Sequence, residues 1–306
     1  MWFSLAVLLL ASCCLVDVTH AEETKENTMS ASRLASVRSR RMVGGMLAPH
    51  VPWQAMIYLS DNVVTGGYAG GALISDRWIL TAGRNLFVRK TRQDTQGQNP
   101  VIPKVYLGIR GLPEATEAKQ VAVEKIVLHP GFQNHTDWDN DLALIKLKEP
   151  VVINDKVTPI PLPEANQHTL IGPGVITGWG WGHLLTASES LKHMTLPLAP
   201  VSSCRYEFTE SNTTVVDGNV FCTRPAPFDQ NVCFGDAGGA LAVIDDNTGD
   251  VYAQGILSYD KPCRRQRYAV YMKVSAYLPW IHSVIRGDTE GSAALRVSVM
   301  KRMYSL

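Results

Sequence analysis

The feature that most constrains the fold is a ladder of short β-rich runs, each closed off by Gly, Pro or Asp. The runs are Gln54–Leu59, Gly71–Ser75, Trp78–Thr81, Val121–Leu128, Leu142–Leu147, Val175–Gly178, Ala240–Ile244, Val251–Leu257 and Tyr268–Lys273. Strands this short, separated by turn residues and without helices alternating between them, predict an all-β barrel or sandwich. One helix is predicted, over Val274–Ile285, where Tyr277, Leu278, Ile281 and Ile285 recur at helical spacing. With 45% hydrophobic residues, 24 glycines and seven tryptophans, the composition is that of an ordinary packed core.

The two ends read differently from this body. Met1–Ala21 carries an apolar stretch around Leu5–Leu10 and ends in Thr19-His20-Ala21. The stretch is too short to span a bilayer, so it reads as a cleaved secretory signal. Glu22–Arg41 is a flexible leader without aromatics. It closes in Arg38-Ser39-Arg40-Arg41, which resembles a furin-type processing site; a solvated basic tail is the competing reading. Met42–Ile285 is expected to form one domain, followed by a polar tail, Arg286–Leu306. No later run is apolar enough for a membrane span, so a soluble, secreted protein is expected.

Secretion sets the redox chemistry. Cys13 and Cys14 leave with the signal, and Cys204, Cys222, Cys233 and Cys263 remain as an even set in an oxidising compartment. Four cysteines allow three pairings, and spacing does not choose among them. Asn134-His135-Thr136 and Asn212-Thr213-Thr214 are sequons, glycosylation acceptors in a secreted chain. The formal charge is +1 and becomes +2 once the signal, with its one acid Asp17, is removed. A nearly neutral chain excludes nucleic acid as the partner. The eight histidines show no ligand spacing, so neither a metal nor another cofactor is expected.

Three segments carry the remaining information. Cys233-Phe234-Gly235-Asp236-Ala237-Gly238-Gly239 resembles the nucleophile loop of the chymotrypsin-like serine proteases, with a methyl group where the hydroxyl belongs. An alkane side chain cannot attack a carbonyl. Leu80-Thr81-Ala82-Gly83-Arg84-Asn85 resembles the histidine loop, with Arg84 at the position of the base. Arginine stays protonated at neutral pH and accepts no proton. The third segment, Asp139-Asn140-Asp141-Leu142-Ala143-Leu144, keeps the orienting aspartate as Asp141. A charge-assisted pair between Arg84 and Asp141 is expected in place of catalysis.

The resemblance implies a double six-stranded β-barrel with a C-terminal helix. It also implies an altered specificity pocket: Asn231 stands at its base, and Ser258-Tyr259-Asp260 replaces the family's Ser-Trp-Gly strand. The disulfide that the family forms at the histidine loop has lost both halves, at Ala69 and Asn85. Two family bridges keep both ends and imply the pairs Cys204–Cys222 and Cys233–Cys263, each stabilising by roughly 2–4 kcal/mol. Met42-Val43-Gly44-Gly45 resembles an activation site. There, cleavage after Arg41 would free the Met42 amine to pair with Asp236; a segment that folds uncut is the alternative.

Within these protease homologues the chain resembles the haptoglobin family. The likeness rests on Arg84-Asn85-Leu86-Phe87, on Ala237 in its loop, and on Gly255-Ile256-Leu257-Ser258-Tyr259-Asp260-Lys261-Pro262-Cys263, with Leu191-Lys192-His193-Met194-Thr195-Leu196-Pro197 a weaker match. It implies a secreted plasma protein that captures free haemoglobin, limits oxidative damage and iron loss, and meets a clearance receptor. Complement-control modules are not expected, as in the short form of bony fishes. Pro161 stands where the family's linking cysteine would be, so no covalent dimer is expected.

A rival function is binding of glycosaminoglycans or microbial surfaces through two basic clusters. One is Arg84, Arg89, Lys90 and Arg92; the other is Lys261, Arg264, Arg265 and Arg267. Solvated loops are the plainer reading of both. Arg286-Gly287-Asp288 spells an integrin tripeptide of a kind that recurs by chance.

Overall fold

The computed structural model describes residues 45–59, 67–86, 102–132, 139–164, 169–182, 187–211, 217–227, 230–245, 248–259 and 267–287. All of them fall in the unit Arg40–Leu306. The N-terminal half contributes β2 (Gln54–Tyr58), β3 (Tyr68–Leu73), β4 (Trp78–Thr81), β5 (Lys104–Leu107), β6 (Gln120–Val121), β7 (Val123–Leu128) and β8 (Ala143–Leu147). The other sheet takes β1 (Met46–Leu47), β9 (Gly174–Gly178), β10 (Lys192–Leu196), β11 (Val220–Thr223), β12 (Ala240–Ile244), β13 (Val251–Tyr259) and β14 (Ala269–Lys273).

Both sheets are antiparallel and both curl. The N-terminal order is β6-β5-β2-β3-β4-β8-β7. Its two edges, β6 and β7, are consecutive in sequence and separated only by Ala122. The run read as one strand, Val121–Leu128, therefore breaks at Ala122 and pairs outward to both sides, which closes the barrel. The second order is β1-β10-β9-β12-β13-β14-β11. Here a single bridge, Leu198 to Thr223, carries the chain beyond β10 onto β11. Each sheet has seven strands rather than the six expected per barrel, because β1 and β6 add two-residue strands at an edge.

The strand period of two explains how the barrels fill. Ile79, Ala143, Ile145 and Leu147 enter the core of the first barrel. Their neighbours Trp78, Leu80, Leu142 and Leu144 enter a separate cluster. The second barrel repeats the pattern. Leu241, Leu257, Ala269 and Tyr271 point inward, whereas Ala240, Ala242, Ile256, Val270 and Met272 join Trp78 and Leu144. The shared cluster is the seam between the barrels. Each Leu or Ile buried there contributes roughly 1.5–3 kcal/mol.

The helix at 274–287 packs on that seam through Tyr277, Leu278 and Ile281, with Ile285 against it. A second helix, Val201–Ser211, was not expected from the sequence. It has no apolar stripe. Cys204 and Phe208, one turn apart, bury its inner face, and Cys204 is disulfide-bonded to Cys222 on β11 with Cα atoms 6.3 Å apart.

Candidate degenerate active site

Asp141 is the hub of the site. It lies just before β8 at the seam and is fully buried. Asn140, before it, adopts a positive φ of 51°, a left-handed conformation that Asn tolerates better than most residues. The Arg84 amide donates to Asp141 Oδ1 at 2.6 Å, and the Arg84 Nε lies 3.7 Å from Oδ2. The Ser258 hydroxyl, on β13, donates to the same Oδ2 at 2.6 Å. Arg84 sits in the 3-10 turn Gly83–Leu86 that follows β4, and its side chain is only 14% exposed. The carboxylate therefore joins residues from both barrels. Among the described residues its partners include two hydrogen-bond donors and a permanent cation, and none of these three can act as a base.

Ala237 is buried in the turn that leads into β12. Its carbonyl accepts from the Gly70 amide at 2.8 Å and from Asn85 Nδ2 at 2.9 Å. The next amide, of Gly238, donates to the Leu257 carbonyl at 2.7 Å. Gly238 has φ +89°, and a Cβ there would collide with the Gly70 carbonyl and the Thr81 hydroxyl. The turn is fixed from three sides while its central side chain offers no nucleophile.

Asp236, beside Ala237, is fully buried. Its Oδ1 accepts from the Gly180 amide at 2.8 Å and its Oδ2 from the Cys233 amide at 2.9 Å. Asn231, at the expected base of the pocket, is spent on the backbone: Nδ2 donates to the Arg267 carbonyl at 2.7 Å, and Oδ1 accepts from the Val232 amide at 2.9 Å.

A family model, Trypsin, matches residues 42–281 of this chain. The chain belongs to the trypsin family. Among curated proteins it is similar to haptoglobin of Oryctolagus cuniculus, at 33% identity over 264 residues covering 81% of this chain and 71% of that protein. Haptoglobin of Canis lupus familiaris is 33% identical over 266 residues, covering 81% and 75%. Haptoglobin of Bos taurus is 33% identical over 264 residues, covering 81% and 62%. Within the trypsin family, then, the chain is a haptoglobin-like serine protease homologue.

The structure brings Arg84, Asp141 and Ser258 together, and Asn85 ties Ala237 to the same turn. Other expected features fall elsewhere. Asp260, Cys263, Asn134, Asn212, Arg41 and Met42 lie outside the described residues, as do Asp288 and the basic residues Arg89, Lys90, Arg92, Lys261, Arg264 and Arg265. Cys233 is disulfide-bonded, with its partner outside them too. Pro161 is exposed, and its carbonyl accepts from the Ala253 amide at 2.9 Å. Among the described residues no cluster of His, Cys, Asp or Glu could hold a metal, and no helix is long and apolar enough to cross a membrane.

Sequence reasoning missed the part played by Asn85. In the sequence it registers only as a vanished cysteine; in the fold its amide holds a carbonyl 152 positions away. The one available signal was its residue type, since an amide side chain offers two donors where a thiol offers one weak donor.

Proposed function

We propose that this chain is a secreted, haemoglobin-binding protein with no proteolytic activity. The observation that carries the reading is the likeness to haptoglobins over 81% of the chain, joined to a site that holds Ala237 and Arg84 where a serine and a histidine would be needed. Loss of one catalytic serine or histidine in a protease of this chemistry removes roughly 10⁶-fold of kcat; here both are replaced. The intact turn around Ala237 supports a role in which shape is kept and chemistry is not.

On this reading Met1–Ala21 is removed on secretion and Glu22–Arg41 is a leader. Met42–Ile285 forms the binding domain, with Cys233 bridged to Cys263 and glycans at Asn134 and Asn212. Asp260 obstructs the former substrate strand, no covalent dimer forms, and a receptor clears the complex from plasma. The polyanion-binding alternative is weakened by two contacts. Arg84 turns to Asp141 at 3.7 Å and Arg267 to Glu207 at 3.7 Å, so one cation of each basic cluster faces a carboxylate.

Mixing the purified protein with haemoglobin and following haem absorbance through size exclusion tests the reading. Parallel retention on immobilised heparin separates it from the alternative, because polyanion binding falls steeply with salt.

A further inference from the structure

His129 follows the last residue of β7, and its backbone is fixed on both sides. Its amide donates to the Leu142 carbonyl at 3.0 Å, and its carbonyl accepts from the Phe132 amide at 2.9 Å. The ring packs against Tyr277 and Trp280 of the helix at 274–287. Its Nδ1 accepts from the Gly131 amide at 3.1 Å, so in the neutral ring the proton sits on Nε2.

Gly131 carries this contact onward. Its carbonyl accepts from Asn140 Nδ2 at 3.0 Å, and Asn140 Oδ1 accepts from the Tyr277 hydroxyl at 3.2 Å. Asn140 is the residue held at φ 51°, directly before Asp141. A Cβ on Gly131 would meet Asn140 Nδ2 at 3.1 Å and His129 Nδ1 at 3.4 Å, so the three groups touch. A Cβ on Gly83, the neighbour of Arg84, would meet the Phe132 ring at 3.2 Å. The turn that His129 holds therefore touches the residues next to both members of the Arg84–Asp141 pair.

We propose that His129 is an acid-operated latch on the segment that carries Asp141. A proton arriving at Nδ1 turns the acceptor of the Gly131 amide into a second donor, so two N–H groups face each other and the contact breaks. Gly131 then no longer holds Asn140 in place, and the anchor between the barrels loosens without any covalent change. The surrounding charges set the direction. Burial disfavours the imidazolium and lowers the His129 pKa from 6.5, while Asp139 opposes the shift. From the helix Tyr277 faces the ring; burial, with Asp217, Asp139 and Asp141, keeps its hydroxyl protonated and donating. The latched form thus binds fewer protons than the open one, and acid favours opening.

Hydrogen exchange on the full chain tests this, corrected for the intrinsic effect of pH and read over peptides spanning 128–132 and 139–144. From pH 7 to pH 5 exchange there should speed at least threefold more than in the control 240–244. His129→Gln, whose side-chain oxygen can accept from the Gly131 amide at any pH, should lose most of that difference. Asp139→Asn keeps the oxygen that accepts from the Asn140 amide at 2.9 Å and removes the charge that favours the imidazolium, so opening should move to lower pH. Latch peptides no more sensitive to pH than the control, or an unchanged response in His129→Gln, would overturn the proposal. If His129→Gln is not secreted, Asp139→Asn decides: a transition moved to lower pH supports the latch, and an unmoved one contradicts it.

Discussion

Arg84 and Asp141 are joined at two points, by the Arg84 amide at 2.6 Å from Oδ1 and by the guanidinium Nε at 3.7 Å from Oδ2. Asp141 is thereby an anchor across the seam of the two barrels. Ser258 completes it from β13. The guanidinium that faces this carboxylate keeps its charge at neutral pH and accepts no proton.

Replacing Arg84 by Ala removes the guanidinium from beside the buried Asp141 and keeps the position-84 amide and the Ser258 hydroxyl as donors. The expected loss is about 2–3 kcal/mol, less than a wholly broken buried pair. For a domain of this size that lowers the thermal midpoint by about 5–10 °C. Differential scanning calorimetry reads it, and an unchanged midpoint would remove the structural role assigned to the pair.

Gly238→Ala should be among the most damaging single changes in the turn. Its φ of +89° is strained for any L side chain, and the new methyl meets the Gly70 carbonyl and Thr81 hydroxyl. A loss of about 3 kcal/mol or more is expected. Gly218→Ala is the control, because a Cβ there meets nothing within 4 Å. Urea midpoints for the two variants should differ clearly; equal midpoints would mean the turn is not held as described.

Restoring the hydroxyl alone should not restore catalysis. Ala237→Ser places a nucleophile in an intact turn, but Arg84 accepts no proton and Asp141 is already occupied. Hydrolysis of peptide amide substrates is expected to stay at the blank rate. Measurable turnover in this variant would show that Ala237 is the only defect.

His129 should make stability depend on pH. Burial lowers its pKa from 6.5, with Asp139 opposing the shift, and its Nδ1 accepts from the Gly131 amide at 3.1 Å. Its ring also meets the Tyr277 and Trp280 rings, at 5.3 and 4.9 Å. A histidine with a depressed folded pKa binds more protons when unfolded. Its contribution is thus complete above 6.5 and is lost as pH falls through the folded value. Between about pH 7 and 5 the thermal midpoint should fall more in wild type than in His129→Gln. Parallel curves would contradict this.

The sequence makes the barrels legible where strands are buried on both faces. Trp78–Thr81 and Ala240–Ile244 match their elements end to end, because every residue of the first and all but Ile244 of the second are buried. Lys192–Leu196 is hidden by its lysine and histidine, whose types suggest a surface while Lys192 is buried. The helix Val201–Ser211 is invisible because two residues and a disulfide, not an apolar stripe, hold it. At the site, Arg84 and Asp141 are readable from local motifs. The reach of Asn85 to Ala237 is not, since residue type says nothing about a partner 152 positions off.

On the function proposed above, a protease scaffold without its chemistry binds haemoglobin. The most direct measurement is size exclusion of the purified protein with haemoglobin at physiological salt, with haem absorbance as the readout. The haem peak is expected to move to earlier elution in company with this chain, and Ala237→Ser is expected to move it equally. A haem peak that elutes where free haemoglobin does, with excess protein present, would contradict it.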